Sequence, residues 1–319
     1  MSVMNIDDVK RKLDDLRENI SKVIIGNENT INMVINSLIA GGHVLLEDTP
    51  GTGKTTLAKA LARSIDGKFS RIQFTPDLLP ADITGLNIYS QKEGQFIFVE
   101  GPVLTNILLA DEINRATPRT QSALLEAMQE RQVTVDGNTR ELPNPFLVIA
   151  TQNPVETAGT FPLPEASLDR FAMQLSMGFP SPKEEVEMLT RYMSADPFEE
   201  IKPVMSTQEL SEIQKTVDTV RIHEDLVAYI VDIVQATRHS KSIIMGASPR
   251  AALSLQNIAK AHAIMEGRDF CIPDDIKNTA VYALTHRMLF HSATNYKEKS
   301  DIVRDLVSSI NVPSEDLKQ

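Results

Sequence analysis

Residues 47–56 read Glu-Asp-Thr-Pro-Gly-Thr-Gly-Lys-Thr-Thr. A loop of this composition binds phosphate through backbone N–H groups that converge on its oxygens, backed by the N-terminus of a following helix. In such a loop Gly51 and Gly53 permit the backbone path, Lys54 reaches the β- and γ-phosphates, and Thr55 offers its hydroxyl to Mg²⁺. The candidate cofactor cradle is therefore Thr49, Pro50, Gly51, Thr52, Gly53, Lys54, Thr55 and Thr56. One position departs from the general pattern G-x-x-x-x-G-K-[ST]: position 48 calls for glycine and holds Asp48. It stands at the start of the turn, where an aspartate adopts turn dihedrals and bonds its own backbone. On that reading the departure removes no phosphate ligand.

Phosphoryl transfer needs more than a cradle. Asp111-Glu112 closes the apolar run "NILLADE". One carboxylate at such a strand end holds the Mg²⁺ shell, and a second beside it orients or deprotonates the attacking water. Asp111 is the candidate metal ligand, with Thr55, and Glu112 the candidate base. Asn153, after "PFLVIATQ", has two readings. A neutral amide at a strand tip positions water against a γ-phosphate, whereas an asparagine before Pro154 is also an ordinary turn former. Spacing does not choose between them. Arginine is the fourth requirement, because negative charge spreads over the equatorial oxygens of the transferred group. Arg170 in "SLDRF" and Arg250 in "SPRAAL" are candidates, but composition does not select them from the other arginines.

These residues need elements to hold them. "HVLLE" (43–47) is a short apolar run suited to a buried strand, and "TLAKALARSI" (56–65) has helical character, so the loop lies between strand and helix as a phosphate loop must. "SRIQF" (70–74), "NILLADE" (106–112) and "PFLVIATQN" (145–153) are further strands ending in polar residues. Apolar strands alternating with helices imply a parallel sheet covered on both faces, with ligands at the carboxyl ends. Ahead of it, Ile6, Val9, Leu13, Leu16 and Ile20 mark an amphipathic helix, and residues 28–40 a second. Two segments read as inserted β-hairpins: 85–103, turning near Glu93-Gly94, and 131–142, turning at Asp136-Gly137. The pattern changes at "GFPSPKEEVEML", where Ser181, Pro182 and Glu184 form a helix start. Further starts follow at Ser206-x-x-Glu209, residue 224, Ser248-Pro249 and Pro273-Asp274. The chain divides near residue 183 into an α/β domain (1–183) and a helical domain (184–319).

The 319 residues are 42% hydrophobic and 24% charged, as in a globular protein, with net charge −11. The acidic balance argues against broad nucleic-acid binding, which uses a basic face. Cys271 is the single cysteine and sits in apolar "DFCIP", which reads as packing and excludes an intrachain disulfide or thiolate metal cluster. The six histidines form no metal constellation by spacing. The N-terminus lacks an apolar signal core, and the longest apolar stretch is broken by Asn36, Gly41, Gly42 and His43. A cytoplasmic address with no direct membrane insertion is the expectation.

The ordered set "EDTPGTGKT", "TPDLLPADITG", "LLADEINRATPRTQSALLEAMQERQVTVDG", "VIATQNPVETAGTFPLPEASLDRF" and "GASPRA" resembles the MoxR family of AAA+ ATPases, from about residue 20 to 290. That family usually carries Asp at the position of Asp48. The resemblance implies a P-loop NTPase core of the AAA+ type, with a parallel five-stranded sheet and inserted hairpins, followed by an all-helical lid. It assigns Asn153 to the sensor-1 position. It gives Arg170 as an arginine finger acting on the neighbouring subunit's nucleotide, and Arg250 as sensor 2, which reports the γ-phosphate from the lid. Val23, Ile24, Ile25 and Gly26 match the segment that packs on adenine, with Asn27 in place of the usual glutamine. The implied reaction is Mg²⁺-dependent ATP hydrolysis in a ring, commonly a hexamer. Protein clients of such rings often contain von Willebrand factor A domains.

Three other functions share parts of this pattern. A nucleic-acid motor of the related helicase branch shares both hairpins but should carry basic ones. Here Arg131 and Arg140 are balanced by Asp136 and Glu141, and Lys92 is opposed by Glu93 and Glu100. A chelatase ATPase subunit would need its partner set. A nucleotide-gated scaffold without turnover is opposed by Glu112 and Arg170.

Overall fold

The computed structural model describes residues 4–49, 51–153, 159–194, 196–293 and 295–313. Helices α1 (Ile6–Ser21) and α2 (Glu28–Ile39) come first. Val9, Leu13, Leu16 and Ile20 recur on one face of α1 and are all buried. β1 (Val44–Glu47) runs into the phosphate loop and α3 (Lys54–Ser64), followed by β2 (Phe69–Gln73) and the short α4 (Pro80–Thr84). The first hairpin pairs β3 (Gly85–Ser90) with β4 (Gln95–Glu100), ahead of β5 (Ile107–Asp111) and α5 (Pro118–Glu130). The second pairs β6 (Gln132–Val135) with β7 (Asn138–Glu141) across Asp136-Gly137. β8 (Leu147–Gln152), α6 (Glu165–Leu168) and β9 (Met173–Leu175) complete this part. The hairpins lean on each other: Asn87 donates to Asp136 at 2.7 Å, and the Arg140 guanidinium lies 3.8 Å from the Phe98 ring centroid.

The main sheet is parallel throughout, in the order β2-β5-β8-β1-β9. Its central strands are apolar without alternation because both faces are covered. Alternate residues still go to opposite sides. Val44, Leu46, Leu109 and Ile149 join one hydrophobic cluster, and Leu45, Leu108, Val148 and Ala150 join the other.

Beyond β9 the chain is helical: α7 (Pro182–Ser194), α8 (Thr207–Asp218) and α9 (Glu224–His239) come first. After β10 (Ile243–Met245) follow α10 (Pro249–Met265) and α11 (Pro273–Leu284), and after β11 (Leu289–Phe290) α12 (Tyr296–Ser309). β10 and β11 form a short antiparallel ribbon, an addition to the all-helical expectation. Ser206 and Glu209 form the anticipated capping box. Lys12 of α1 also donates to Glu209, at 2.7 Å, and together these bonds hold its carboxyl down at about 2.

The first hydrophobic cluster does not stop where the sheet stops. It holds Leu16 and Ile35 from the opening helices, Ile149 from the sheet, and Leu210, Ile233, Leu255 and Ala280 from the C-terminal helices. Polar contacts cross the same boundary, with Asn257 donating to the Ala40 carbonyl at 2.8 Å and Gln214 to that of Leu38 at 2.7 Å. α7 behaves differently, since none of its described residues is buried. It is held at Arg191, which donates to the Ser21 and Lys22 carbonyls at 3.0 and 2.9 Å. Cys271 is buried just ahead of α11, and desolvation pushes its thiol up to about 12. No helix among the described residues is long and apolar enough to cross a membrane.

Candidate functional site

β5, β8 and β1 are neighbours, so their carboxyl ends bring three separate sequence stretches to one edge of the sheet. There Asp48, Gly51, Thr52, Gly53, Lys54, Thr55 and Thr56 share a cavity of about 390 Å³ with Asp111, Glu112, Thr151 and Asn153. Thr49 is half-buried beside them, and Pro50 lies outside the described residues. Gly53 directly precedes α3 with φ +90°, a conformation that a side chain would strain. The first turn of α3, whose N–H groups have no intrahelical partners, therefore opens on the cavity. Lys54 donates to the carbonyls of Asp48 and Thr49 at 3.0 and 3.1 Å. Burial lowers its pKa, and the charges of Asp48, Asp111 and Glu112 oppose that shift.

The two carboxylates have separate partners. Asp111, nearly buried, accepts from Arg71 Nε at 2.6 Å and from the Thr151 hydroxyl at 3.3 Å. Glu112 turns the chain at φ +55°, costly for a non-glycine residue by about 1–3 kcal/mol. Its backbone N–H donates to Thr151 Oγ1 at 2.9 Å, while its carboxylate accepts from Gln73 at 2.8 Å and Arg115 at 3.0 Å. Asn153 is buried at the cavity wall. The oxygen donors of Thr55 and Asp111 suit a hard cation that keeps other ligands from water and phosphate, as Mg²⁺ does. The Arg71 guanidinium supplies positive charge against Asp111. No group of three or more His, Cys, Asp or Glu side chains that could hold a metal ion occurs among the described residues.

Arg71, Gln73 and Thr151, none of them a candidate from the sequence, line the same cavity. A signal for the first two exists: "SRIQF" alternates, and Gln73 stands opposite Asp111 in the β2–β5 register. Of the segment matched to adenine, Val23 and Ile24 are buried, Ile25 is half-buried and Gly26 exposed. A side chain at Gly53 would stand 3.7 Å from Ile24 and 3.8 Å from Met177.

Asp48 corrects its reading. Its carboxylate does not turn back on its own loop but accepts from the Ser176 hydroxyl at 2.8 Å and from the N–H groups of Met177 and Gly178 at 2.6 and 3.0 Å.

The two arginines lie elsewhere, together. Arg170 and Arg250 line a second cavity of about 370 Å³ with Asp169, Leu253, Asn257 and Arg287, and it shares no lining residue with the first among the described residues. Asp169 accepts from Arg287 at 2.7 Å and from the Ser248 hydroxyl at 3.2 Å. Burial pushes Arg287 down to about 10, the Asp169 carboxylate opposes this, and nearby Arg250 adds to it. Arg170 Nε is buried and has no hydrogen-bond partner among the described residues. Arg250 does not line the phosphate-loop cavity. The second cavity is lined by three arginines and Asp169, and the Nε atoms of Arg170 and Arg287 have no partner among the described residues.

Residues 43–173 match the ATPase family associated with various cellular activities (AAA), and residues 235–306 match the AAA lid domain. The chain is 48% identical to "Uncharacterized protein YeaC" of Bacillus subtilis, over 93% of each chain. It is 44% identical to "Chaperone MoxR1" of Mycobacterium tuberculosis, over 85% of this chain and 74% of that one. A solved structure from Cytophaga hutchinsonii, provisionally described as an ATPase, superposes with TM-score 0.88 at 39% identity and 97% coverage of both chains.

Proposed function

The chain belongs to the MoxR family of AAA+ ATPases, and from that premise we propose that it hydrolyses ATP with Mg²⁺ at sites shared between neighbouring copies in a ring. The observation that carries this is the division of the machinery between two cavities. One holds the phosphate loop, Asp111, Glu112 and Asn153, and the other holds Arg170 and Arg250. A cleft that gathers the anionic substrate and its base in one chain is completed by arginines only when a second chain presents them.

Lys54 and the N–H groups of Thr49 and of Gly51 to Thr56 hold the phosphates of ATP, and Val23 to Gly26 flank the base. Thr55 and Asp111 would hold Mg²⁺, which would supply positive charge against the phosphates when bound. Glu112 orients and deprotonates the attacking water, and Asn153 positions it without adding charge. Arg170 and Arg250 of the adjacent copy stabilise the charge that develops on the transferred group, a contribution of roughly 10³–10⁵ in rate for one arginine finger. Residues 1–183 form the nucleotide-binding core and 184–319 the lid. A hexamer is the proposed ring. Its work is the chaperone-like remodelling or activation of cytoplasmic protein clients, among them proteins with von Willebrand factor A domains. The acidic charge of the chain favours protein clients over nucleic acid.

ATPase rate per subunit measured against protein concentration, with and without Mg²⁺, tests the shared site. Turnover should rise steeply with concentration, need Mg²⁺ and vanish in Glu112→Gln. Turnover independent of concentration sinks the shared-site reading.

A further inference from the structure

We propose that Asp48 is a positioning residue that couples the phosphate loop to the connector between β9 and α7, and through that connector to the C-terminal helices. The inference rests on the nucleotide reading of the loop. Asp48 is 5% exposed, and its carboxylate spends three acceptor bonds on one tripeptide, Ser176-Met177-Gly178. Its main chain faces the other way: the carbonyl accepts from Lys54 at 3.0 Å, and the N–H donates to the Gln152 carbonyl of β8 at 3.3 Å. One residue thus touches the phosphate-binding lysine on one side and the exit from the sheet on the other.

The neighbouring contacts run the same way. The Glu47 carboxylate accepts from Gln174 of β9, whose carbonyl accepts from the Tyr296 hydroxyl of α12 at 3.1 Å. Met177 is buried and reaches ordinary contact distance of the site a Gly53 side chain would occupy. Past Gly178, which turns at φ +65°, the Ser181 N–H bonds Glu184 at 2.6 Å and α7 begins. Both carboxylates at the end of β1 are therefore directed toward β9 and the segments that follow it. When a phosphate draws Lys54 away, the carbonyls of Asp48 and Thr49 lose their donor and the loop must readjust. Three hydrogen bonds to one buried carboxylate are too strong to yield first, so the readjustment moves residues 176–178.

Asp48→Gly is the informative variant because it restores the general phosphate-loop pattern. If Asp48 only fills a turn, that change is silent. The probes are ADP and a non-hydrolysable ATP analogue. The readouts are nucleotide Kd, kcat and KM, and hydrogen exchange of the peptide spanning residues 176–186 with and without nucleotide. In the wild type, nucleotide should change exchange in that peptide. In Asp48→Gly the Kd should stay within about threefold, the exchange response should disappear, and kcat should fall about tenfold. Asp48→Asn keeps the oxygen position that serves Ser176 and Gly178 but turns an amide toward the Met177 N–H, so its kcat should fall between the two. A Gly variant with wild-type kcat and a wild-type exchange response overturns the inference and leaves the nucleotide site standing. Failure of the wild type to bind either nucleotide overturns the nucleotide reading and the inference with it. Should Asp48→Gly not fold, Ser176→Ala removes one donor without touching the loop. Reduced kcat at unchanged Kd then upholds the coupling, and unchanged kcat refutes it.

Discussion

Lys54 and Glu112 sit in one cavity and should fail in different ways. Lys54 offers the loop's only side-chain cation, and its donors rest on two carbonyls that a phosphate would replace. A hydrogen bond to a charged group contributes about 1.5–3 kcal/mol, so Lys54→Ala should weaken nucleotide binding by roughly 10–100-fold in a titration. Glu112 is held by Gln73 and Arg115 at the far wall, and Glu112→Gln preserves shape and hydrogen bonding while removing the base. Its nucleotide affinity should stay within about twofold while turnover falls at least a hundredfold, as for a general base; loss of affinity in parallel would show Glu112 to be a binding group. Much of this cavity was legible at the residue scale. Gly51, Gly53, Lys54, Thr55, Asp111 and Glu112 announce themselves by type and spacing. Asp48 was misread because a local turn rule sees only neighbours in sequence, and its partners are 128 to 130 positions away. Arg71 escaped because the alternation of "SRIQF" marks a strand without saying which neighbouring strand end it will face.

At the scale of elements, α1 carries weight beyond its own end of the chain. Leu16 is fully buried in a cluster that also contains Ile149 of β8 and Leu255 of α10. Leu16→Ala should cost about 2–5 kcal/mol, the range for truncating a packed leucine. Because sheet and C-terminal helices share that cluster, urea midpoints read by probes in either part should fall together. A fall confined to one part would show that the two unfold separately. The long elements were readable because their signals repeat. Five apolar residues at helical spacing fix α1, Asp136-Gly137 fixes the second hairpin, and Ser206 with Glu209 fixes the start of α8. The short ones were not. β9 has three residues and β11 two, too few to establish an alternation, and they become strands only because β1 and β10 supply the partner backbone.

At the scale of the whole molecule, the separation of the two cavities makes a prediction that no single chain can satisfy. Arg170→Ala should bind nucleotide normally and turn over at least a hundredfold more slowly, given the worth of an arginine finger. Glu112→Gln keeps its arginines but lacks a base. Mixed together, the two inactive proteins should recover activity, because arginines of the second can serve intact cavities of the first. Absence of recovery in mixtures shown by light scattering to co-assemble would mean that Arg170 acts within its own chain. Following such an assembly in motion is helped by Cys271. The sole thiol of the chain is buried and too basic to ionise near neutrality, so it resists alkylating dyes. Fluorophore pairs attached through two introduced surface cysteines would then report only the chosen distance. The native sequence is already a silent background for watching individual molecules change shape during turnover.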